Sequence, residues 1–521
     1  MLFSLRIKHL KVSGKKLDEL FDIFIKVYLK RYKDIDEKFL RIVGYKSLQP
    51  ISDLLFFCRF LNLKKKIEVV EIPYSSNDLN NLLCKGKLID NVNYLLNINK
   101  TDFIFNNKII DHGIYDGLNK KNKLNPIIKI FLKLVELIPL KKKVLVDIIN
   151  IDYYLKFIKK GYKPIFYDKS YFEKKINSSF NKKLRQDFYK DAIEIFLLNK
   201  NDYKNINLNE LNVLFALLPI NIVENFEELK KENTSVKKYN FFDRMILSEV
   251  SGLNDNANFW LANYLFKVKT KLEIYQHGSG YFWEYYNPIV PHETEVADKF
   301  YSWTKKKSQK FKQYPVTRYF SKSIKKKYDL LLVNGNWPYF YKSHSSQLGL
   351  YVDRHNVEAS KFLKYINYTK NYIIKRPTNI FTSNYYAPFD EEDINKRFTN
   401  ENLKYLVPQS KICVCSYFGT VFFEFMANDI PFIVFSKRSH SILTEDANVY
   451  LKKLKKFGFL FYSAHSAAKF LNENHDNILE LWNDKEFKNF RADFRDKFTP
   501  KKIRDKFGKK KQSWQEILIN E

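Results

Sequence analysis

Continuous apolar runs alternate along this chain with segments whose apolar residues recur at helical spacing, most clearly after residue 327. The runs typical of strands buried on both faces are "YDLLLV", "NYIIK", "KICVC" and "IPFIVF". The segments typical of amphipathic helices are "VEASKFLKYIN", "TVFFEFMAND" and "DANVYLKKLKKFG". Strands that alternate with helices predict a mostly parallel sheet covered by helices, which is an α/β fold.

The same alternation is present earlier in the chain. "VLVDIINIDYYLKFIKKGYKPIFYDK" predicts a strand, a helix, a glycine stop and a strand, and the segment that ends at "KLEIYQH" predicts strand, helix and strand. A lysine-rich connector follows Trp303. We therefore expect two Rossmann-like domains that face a cleft, over residues 1–315 and 316–490, followed by a basic helical tail over 491–521.

Composition and charge narrow the classes of function. The chain has 521 residues, of which 45% are hydrophobic and 17% aromatic, so it can bury a large core and is not a disordered protein. Its formal net charge of +32 would suit a nucleic-acid-binding protein, but no nucleic-acid-binding motif is present. The codon bias of an AT-rich genome, together with a solvated surface, explains the charge more simply. A basic surface would also suit nucleotide-linked substrates or anionic lipids.

The sequence also bears on location. The four cysteines include no CxxC pair, which argues against a zinc site or a disulfide scaffold. The first residues carry charges too early for a signal peptide, and no uncharged apolar run reaches transmembrane length. We expect a cytoplasmic protein, with peripheral contact at the inner face of the cytoplasmic membrane as an open alternative.

The most informative motif is "CSYFGTVFFEFMANDIPFIVF". An apolar run ends at Cys415, and Ser416, Gly419 and Thr420 then open a helix whose N–H groups and dipole favour an anion. The Thr420 hydroxyl can cap that helix and also donate to a phosphate. Glu424 lies one turn further on the same face, where it can accept from ribose hydroxyls. An ordinary capped helix explains the pattern equally well, although a glutamate within "FFEFM" favours a role.

A second motif is "YQHGSGY", which follows the predicted strand "KLEIY". His277 falls at the carboxyl end of that strand, where open α/β sheets place ligands, and Gly278 and Gly280 allow a tight turn. Histidine suits proton transfer near neutral pH. Glu293 and Glu295 follow and are candidates for the same chemistry, unless they simply stabilise the first turn of a helix. A structural histidine at a turn is the alternative.

A third motif is "IIKRPTN", in which Arg376 ends a predicted strand and can bind a phosphate, unless it is an ordinary surface residue. Metal binding is not predicted, because the spacing of the histidines and carboxylates fits no known set of ligands.

Taken in order, "YQHGSGY", "ADKFYSW", "SYFGTVFFEFMANDIPFIVF" and "DANVYLKKLKKFGFLFYSAHSAAKFL" resemble a family of bacterial transferases linked to surface-carbohydrate assembly. That family is similar to GT-B enzymes of the cell envelope: Kdo-type transferases, capsule polysaccharide transferases and CDP-glycerol glycerophosphotransferases. The resemblance covers roughly residues 241–500. It implies a GT-B-like fold, a donor bound mainly by the C-terminal domain, and no obligatory metal or other cofactor.

The resemblance implies the roles of the candidate residues. His277 corresponds to the family's His-Gly in the N-terminal domain, with Ser279 where a second glycine is usual. Ser416, Gly419, Thr420 and Glu424 correspond to its donor-side turn and helix. We expect a glycosyltransferase that uses a nucleotide-activated sugar and a glycan or lipid-linked acceptor. A polyol-phosphate transferase is one alternative, disfavoured because the CDP-glycerol glycerophosphotransferases tend to carry a histidine after Arg-Pro and none follows "RP" here. An inactive envelope-assembly protein is the alternative from another class.

Overall fold

The computed structural model describes residues 2–61, 70–71, 105–106, 126–147, 151–167, 178–232, 241–248, 250, 254–278, 280–285, 287, 289–316, 318, 320, 325–335, 352–375, 388–437, 442–500, 502–504 and 511–520. Within them the chain divides into two compact units. The first consists mainly of Met1–Tyr275 and Pro288–Phe300, and the second of Gln276–Asn287, Tyr301–Tyr341 and Ser345–Glu521.

The described helices are, in chain order, α1 Leu2–Arg31, α2 Glu37–Leu61, α3 Pro126–Leu137, α4 Ile151–Lys159, α5 Lys182–Leu198, α6 Leu208–Leu217, α7 Ile220–Val223, α8 Phe226–Glu232, α9 Asp255–Val268, α10 Ile289–Val296, α11 Val352–Tyr365, α12 Leu403–Gln409, α13 Thr420–Asn428, α14 Glu445–Lys456, α15 Ala464–Asn474, α16 Ile478–Asn483, α17 Lys485–Phe498 and α18 Trp514–Asn520. A single π-helical turn covers Asp393–Arg397 in the described part of the chain.

The described strands are β1 Val70–Glu71, β2 Phe105–Asn106, β3 Lys142–Val146, β4 Tyr162–Phe166, β5 Arg244–Leu247, β6 Lys271–Tyr275, β7 Lys299–Ser302, β8 Phe311–Gln313, β9 Tyr328–Val333, β10 Tyr372–Lys375, β11 Phe398–Thr399, β12 Ser410–Cys415, β13 Phe432–Phe435, β14 Leu460–Phe461, β15 Ile503–Arg504 and β16 Lys511–Gln512.

Two six-stranded sheets organise the fold. The first has the strand order β4-β3-β5-β6-β7-β8, and its first three pairings, from β4 to β6, are parallel. The second has the order β11-β10-β9-β12-β13-β14, and every one of its pairings is parallel. The predicted α/β class with two parallel sheets is therefore confirmed. The domain limits and the arrangement of the domains about a cleft stay predictions.

Charged side chains are buried in pairs in the first unit. Arg244 on β5 donates two hydrogen bonds to Glu273 on β6, at 2.7 and 2.8 Å. Lys16 on α1 donates to Glu210 on α6 at 2.6 Å, and both side chains are almost fully buried. Each pair joins neighbouring elements, and because a buried charge without its partner is costly, loss of one member would destabilise the unit.

The second unit follows the predicted pattern closely. Strands β9, β10, β12 and β13 coincide with the apolar runs identified in the sequence, and Cys413 and Cys415 on β12 are free thiols buried in the core. Helix α13 connects β12 to β13 and is buried along most of its length. In the part of the chain that the structure describes, no helix is long and apolar enough to cross a membrane.

Candidate active site

The segment that carries His277 belongs to the second unit, together with helix α13. Its backbone is tied to the chain just before α14. Glu284 and Leu443 form an antiparallel bridge, the Tyr285 N–H donates to the carbonyl of Ile442 at 3.0 Å, and the Thr444 N–H donates to the carbonyl of Trp283 at 3.0 Å. This short ladder fixes the segment on the unit that also holds the predicted donor-side turn.

The Trp283 side chain anchors the same segment. It is 3% exposed and packs edge-on against Phe423 on α13 and Phe498 on α17, with ring centroids 5.2 and 5.0 Å apart. Phe422 and Phe494 complete its aromatic surroundings. Burying an indole among four phenyl rings contributes apolar area and favourable edge-to-face contacts, so this anchor is strong.

The turn after His277 requires glycine at Gly280. Its backbone has a φ of +96°, and a Cβ atom built on it would lie 2.6 Å from Oε1 of Glu284. The Gly280 carbonyl accepts a hydrogen bond from the Glu284 N–H at 3.1 Å. Both the left-handed conformation and the close carboxylate exclude a larger residue, so the glycine shapes the turn.

His277 is exposed and lies two residues after β6. Its Nδ1 atom is 3.1 Å from the hydroxyl of Tyr281, and the two rings are nearly perpendicular. A Cβ atom built on Gly278 would lie 3.3 Å from Oγ1 of Thr420, the first residue of α13. The backbone beside His277 therefore reaches the predicted phosphate-binding helix end within one compact unit.

The start of α13 differs in one detail from the sequence prediction. Gly419 and not Thr420 occupies the N-cap position, and no side chain caps the helix, so the prediction that the Thr420 hydroxyl caps it is wrong. A Cβ atom on Gly419 would lie 1.9 Å from a ring carbon of Tyr417, so a larger residue would require the Tyr417 ring to move. Glycine at the N-cap supplies no side-chain acceptor to the first N–H groups of the helix, and helix N-termini of this kind are common anion-binding ends.

The strand order of the second sheet reverses between β9 and β12: β10 and β11 extend the sheet on one side of this point, and β13 and β14 extend it on the other. Ligands of open α/β sheets bind at the carboxyl edge of such a point. Ser416 follows β12 there and donates its hydroxyl to Oδ1 of Asn334, which follows β9. Asn334 in turn donates to Asn356 on α11 at 2.8 Å, and all three side chains are buried.

Glu424 is buried on α13, at 3% exposure, and its Oε2 accepts a hydrogen bond from Nη1 of Arg318 at 3.0 Å. Asn428, one turn later, donates to the carbonyl of Arg318 at 2.8 Å. Burial raises the pKa of Glu424 to about 7, and the Arg318 charge offsets only part of that rise. A ribose hydroxyl would therefore have to compete with, or add to, an ion pair already present.

The two predicted catalytic carboxylates lie on α10, in the first unit. Glu293 is fully buried, and its Oε1 accepts from the Val250 N–H at 3.4 Å. Glu295 forms an ion pair with Arg41 on α2. Arg376, the predicted phosphate ligand, lies outside the described residues. Among the described residues, no group of three or more His, Cys, Asp or Glu side chains is placed to hold a metal ion.

Two residues of this site were missed by the sequence prediction. Asn334 directly follows the run "LLLV", so the rule that ligands bind at strand ends could have identified it. Tyr281 gave no such signal, because the chain contains 35 tyrosines and only the folded turn brings this hydroxyl to His277.

Two six-stranded sheets built from alternating strands and helices make this an α/β protein, and open sheets of this class bind ligands at the carboxyl ends of their strands. The chain belongs to the LIC12162 family of transferases, whose model matches residues 22–506. The expected membership of a bacterial transferase family is thereby confirmed. No curated protein matches the sequence.

Among solved structures, the chain is similar to the spinosyn rhamnosyltransferase SpnG. In complex with spinosyn aglycone, that enzyme is 8% identical, with a TM-score of 0.33, over 68% of this chain and 95% of that one. A second SpnG structure is 9% identical, with a TM-score of 0.33, over 69% of this chain and 97% of that one. A likeness this distant carries no argument about activity.

Proposed function

We propose that this transferase is a glycosyltransferase that moves a sugar from a nucleotide-sugar donor onto a cell-surface polysaccharide or a lipid-linked precursor of one. Membership of the transferase family and the surface-carbohydrate resemblance of the motifs support this proposal. The structural observation that carries it is the approach of Gly278 to Thr420, which brings the histidine turn to the uncapped start of α13.

In the proposed reaction, the donor's phosphate rests at the start of α13, near Gly419 and Thr420. The bond between the anomeric carbon and the phosphate oxygen breaks, and its electron pair stays on the phosphate. The acceptor hydroxyl oxygen forms the new bond to that carbon and releases its proton to a base or to solvent. The roles of Glu424 toward the ribose, of Glu293 and Glu295 as catalytic carboxylates, and of Arg376 toward a phosphate stay predictions.

Donor binding is the first test. Isothermal titration with UDP-, GDP-, dTDP- and CMP-sugars, and with CDP-glycerol, should identify one nucleotide class that binds. Thr420→Val nearly keeps the side-chain volume but removes a hydroxyl facing the proposed phosphate site, and it should weaken binding by about 1–3 kcal/mol. Thr499→Val is the matched control, because the buried Thr499 hydroxyl in the same unit has no hydrogen-bond partner among the described residues.

The panel also separates the alternatives. Binding and turnover of CDP-glycerol alone would replace sugar transfer by polyol-phosphate transfer. Equal donor affinities for wild type, Thr420→Val and Thr499→Val would place the phosphate site elsewhere. A wild-type protein that binds none of the donors would contradict the proposed activity.

A further inference from the structure

Helix α3, in the first unit, leaves a row of apolar side chains open to solvent. Ile130, Leu134 and Leu137 recur at helical spacing, so they lie on one face, and each residue is between 59% and 78% exposed. Val135 lies on a different face and is buried. A single exposed leucine is ordinary on a protein surface, but a row of three on one helix face indicates an interaction surface.

Helix α4 extends this surface. Ile151 and Leu155 lie one turn apart and are 42% and 45% exposed. The buried ring of Tyr154 on α4 contacts the ring of Phe131 on α3, with the centroids 5.8 Å apart. Leu134 is three residues from Phe131, and Ile151 is three residues from Tyr154, so each exposed row borders this ring contact. The two rows form one surface, the α3–α4 apolar face: Ile130, Leu134, Leu137, Ile151 and Leu155.

Lysines gather at one end of this face. Lys163 on β4 donates a hydrogen bond to the carbonyl of Glu136 in the last turn of α3, so the start of β4 lies close to Leu137. Strand β3 pairs with β4 from Lys142 and Tyr162 onward, and α4 ends just before β4. The starts of both strands and the end of α4 therefore bring four exposed lysines to the same edge: Lys141, Lys142, Lys159 and Lys160.

We propose that the α3–α4 apolar face and these lysines dock the protein onto an anionic lipid bilayer. Leucine and isoleucine side chains enter the boundary between headgroups and acyl chains, and lysines attract the lipid phosphates. The charge favours a bilayer over a second copy of this chain, because two copies packed on the same face would bring their lysines together. A nucleic acid would bind the lysines and leave the apolar row exposed.

This docking surface goes beyond the proposed function and does not rest on it, because α3 and α4 carry none of the proposed donor-binding residues. The apolar row and the lysines make separate contributions that can be removed separately. Burial of a leucine in an apolar phase strengthens binding roughly tenfold or more. A lysine near an anionic surface strengthens it roughly fivefold.

Vesicle sedimentation tests the proposal on the full chain. Wild type should bind vesicles of phosphatidylglycerol and phosphatidylcholine, and roughly tenfold or more weakly on phosphatidylcholine alone or in concentrated sodium chloride. Leu134→Gln with Leu137→Gln should weaken binding to the anionic vesicles about a hundredfold. Lys159→Gln with Lys160→Gln should weaken it roughly 20-fold.

The matched control is Leu197→Gln with Leu198→Gln at the end of α5, in the same unit. These two leucines are 56% and 76% exposed, so the control removes a similar apolar area from a different helix and should bind anionic vesicles like wild type. Glutamine keeps a good helix propensity. The thermal midpoint of Leu134→Gln with Leu137→Gln should therefore match that of wild type.

Several outcomes would overturn the proposal. One is a wild-type protein that does not bind anionic vesicles, or whose binding survives Leu134→Gln with Leu137→Gln. Loss of binding in the lysine variant alone would indicate a purely electrostatic partner such as a nucleic acid. A dimer in sedimentation equilibrium that the leucine variant disperses would assign the face to a second copy. A lowered thermal midpoint in the leucine variant would show that another segment of the chain covers it. None of these readouts requires sugar transfer.

Discussion

The ionisation of Glu424 should govern the pH dependence of stability in the second unit. The carboxyl group lies on the buried face of α13 and has Arg318 as a partner at 3.0 Å. Burial penalises the charged form more than the Arg318 guanidinium stabilises it, so the pKa rises from 4.5 to about 7. Glu424→Gln keeps the size of the side chain and removes its titration.

The sign and size of the effect follow from linkage. Between pH 4.5 and about 7 the folded protein holds a proton on Glu424 that the unfolded chain releases, so the free energy of unfolding falls as the pH rises through this window. A rise from 4.5 to about 7 corresponds to about 3 kcal/mol, at 1.36 kcal/mol for each pH unit. The Glu424→Gln variant lacks this loss, so wild type should become less stable relative to it on going from acid to neutral pH.

Urea unfolding of both proteins over this pH range measures the difference. The free energy of unfolding of wild type minus that of Glu424→Gln should fall by about 3 kcal/mol across the window and then stay level. Glu473→Gln is the control, because it removes an exposed carboxylate from a helix of the same unit. A constant difference would show that the Arg318 charge fully offsets burial, and one that grows with pH would show that it outweighs burial. Either result would refute the reasoning.

Two further predictions concern buried side chains. His292→Phe should preserve the stack on Tyr45, whose ring centroid is 3.8 Å away. Because burial lowers the His292 pKa to about 3, the free energy of unfolding of wild type should fall by about 2 kcal/mol relative to the variant as the pH drops from 6.5 to 5, measured in thermal melts. A pH-independent difference would contradict this. Arg491→Met should lower the free energy of unfolding in urea by about 2–4 kcal/mol, because it leaves Asp429 and the Trp482 carbonyl without this donor. An unchanged free energy of unfolding would show that packing against Trp482 suffices.

The elements of the second unit could be predicted because their pattern is local. A strand buried on both faces must be apolar throughout, as "KICVC" and "PFIVF" are, and the helix between them must bury one face. Apolar runs of this kind therefore predicted β12, α13 and β13. The glycine turn after β6 could also be predicted, because the positive φ of Gly280 strongly favours glycine at that position.

The partners of the polar side chains could not be predicted in the same way. Glu295 and Glu293 look like part of one acidic site in the sequence, yet Glu295 pairs with Arg41 on α2 and Glu293 is buried in the first unit. Glu424 was expected to face a ribose, and the fold gives it Arg318 from a segment 106 residues away. Such pairs depend on which distant elements pack together, and no local spacing encodes that.

The packing of one side chain, Trp283, accounts for the unit to which the His277 turn belongs. From the sequence, the residues that directly follow β6 are expected to belong to the N-terminal domain, because β6 itself, which ends at Tyr275, lies in that domain. Trp283 instead packs against α13 and α17, and the neighbouring Glu284 forms a β-bridge with Leu443, just before α14. The turn is therefore part of the second unit. Burial of the indole stabilises this arrangement, and Gly278, the residue after His277, lies beside Thr420 at the start of α13. The turn that carries His277 therefore lies in the same unit as the proposed donor-side helix, and only the long-range packing of Trp283 reveals this.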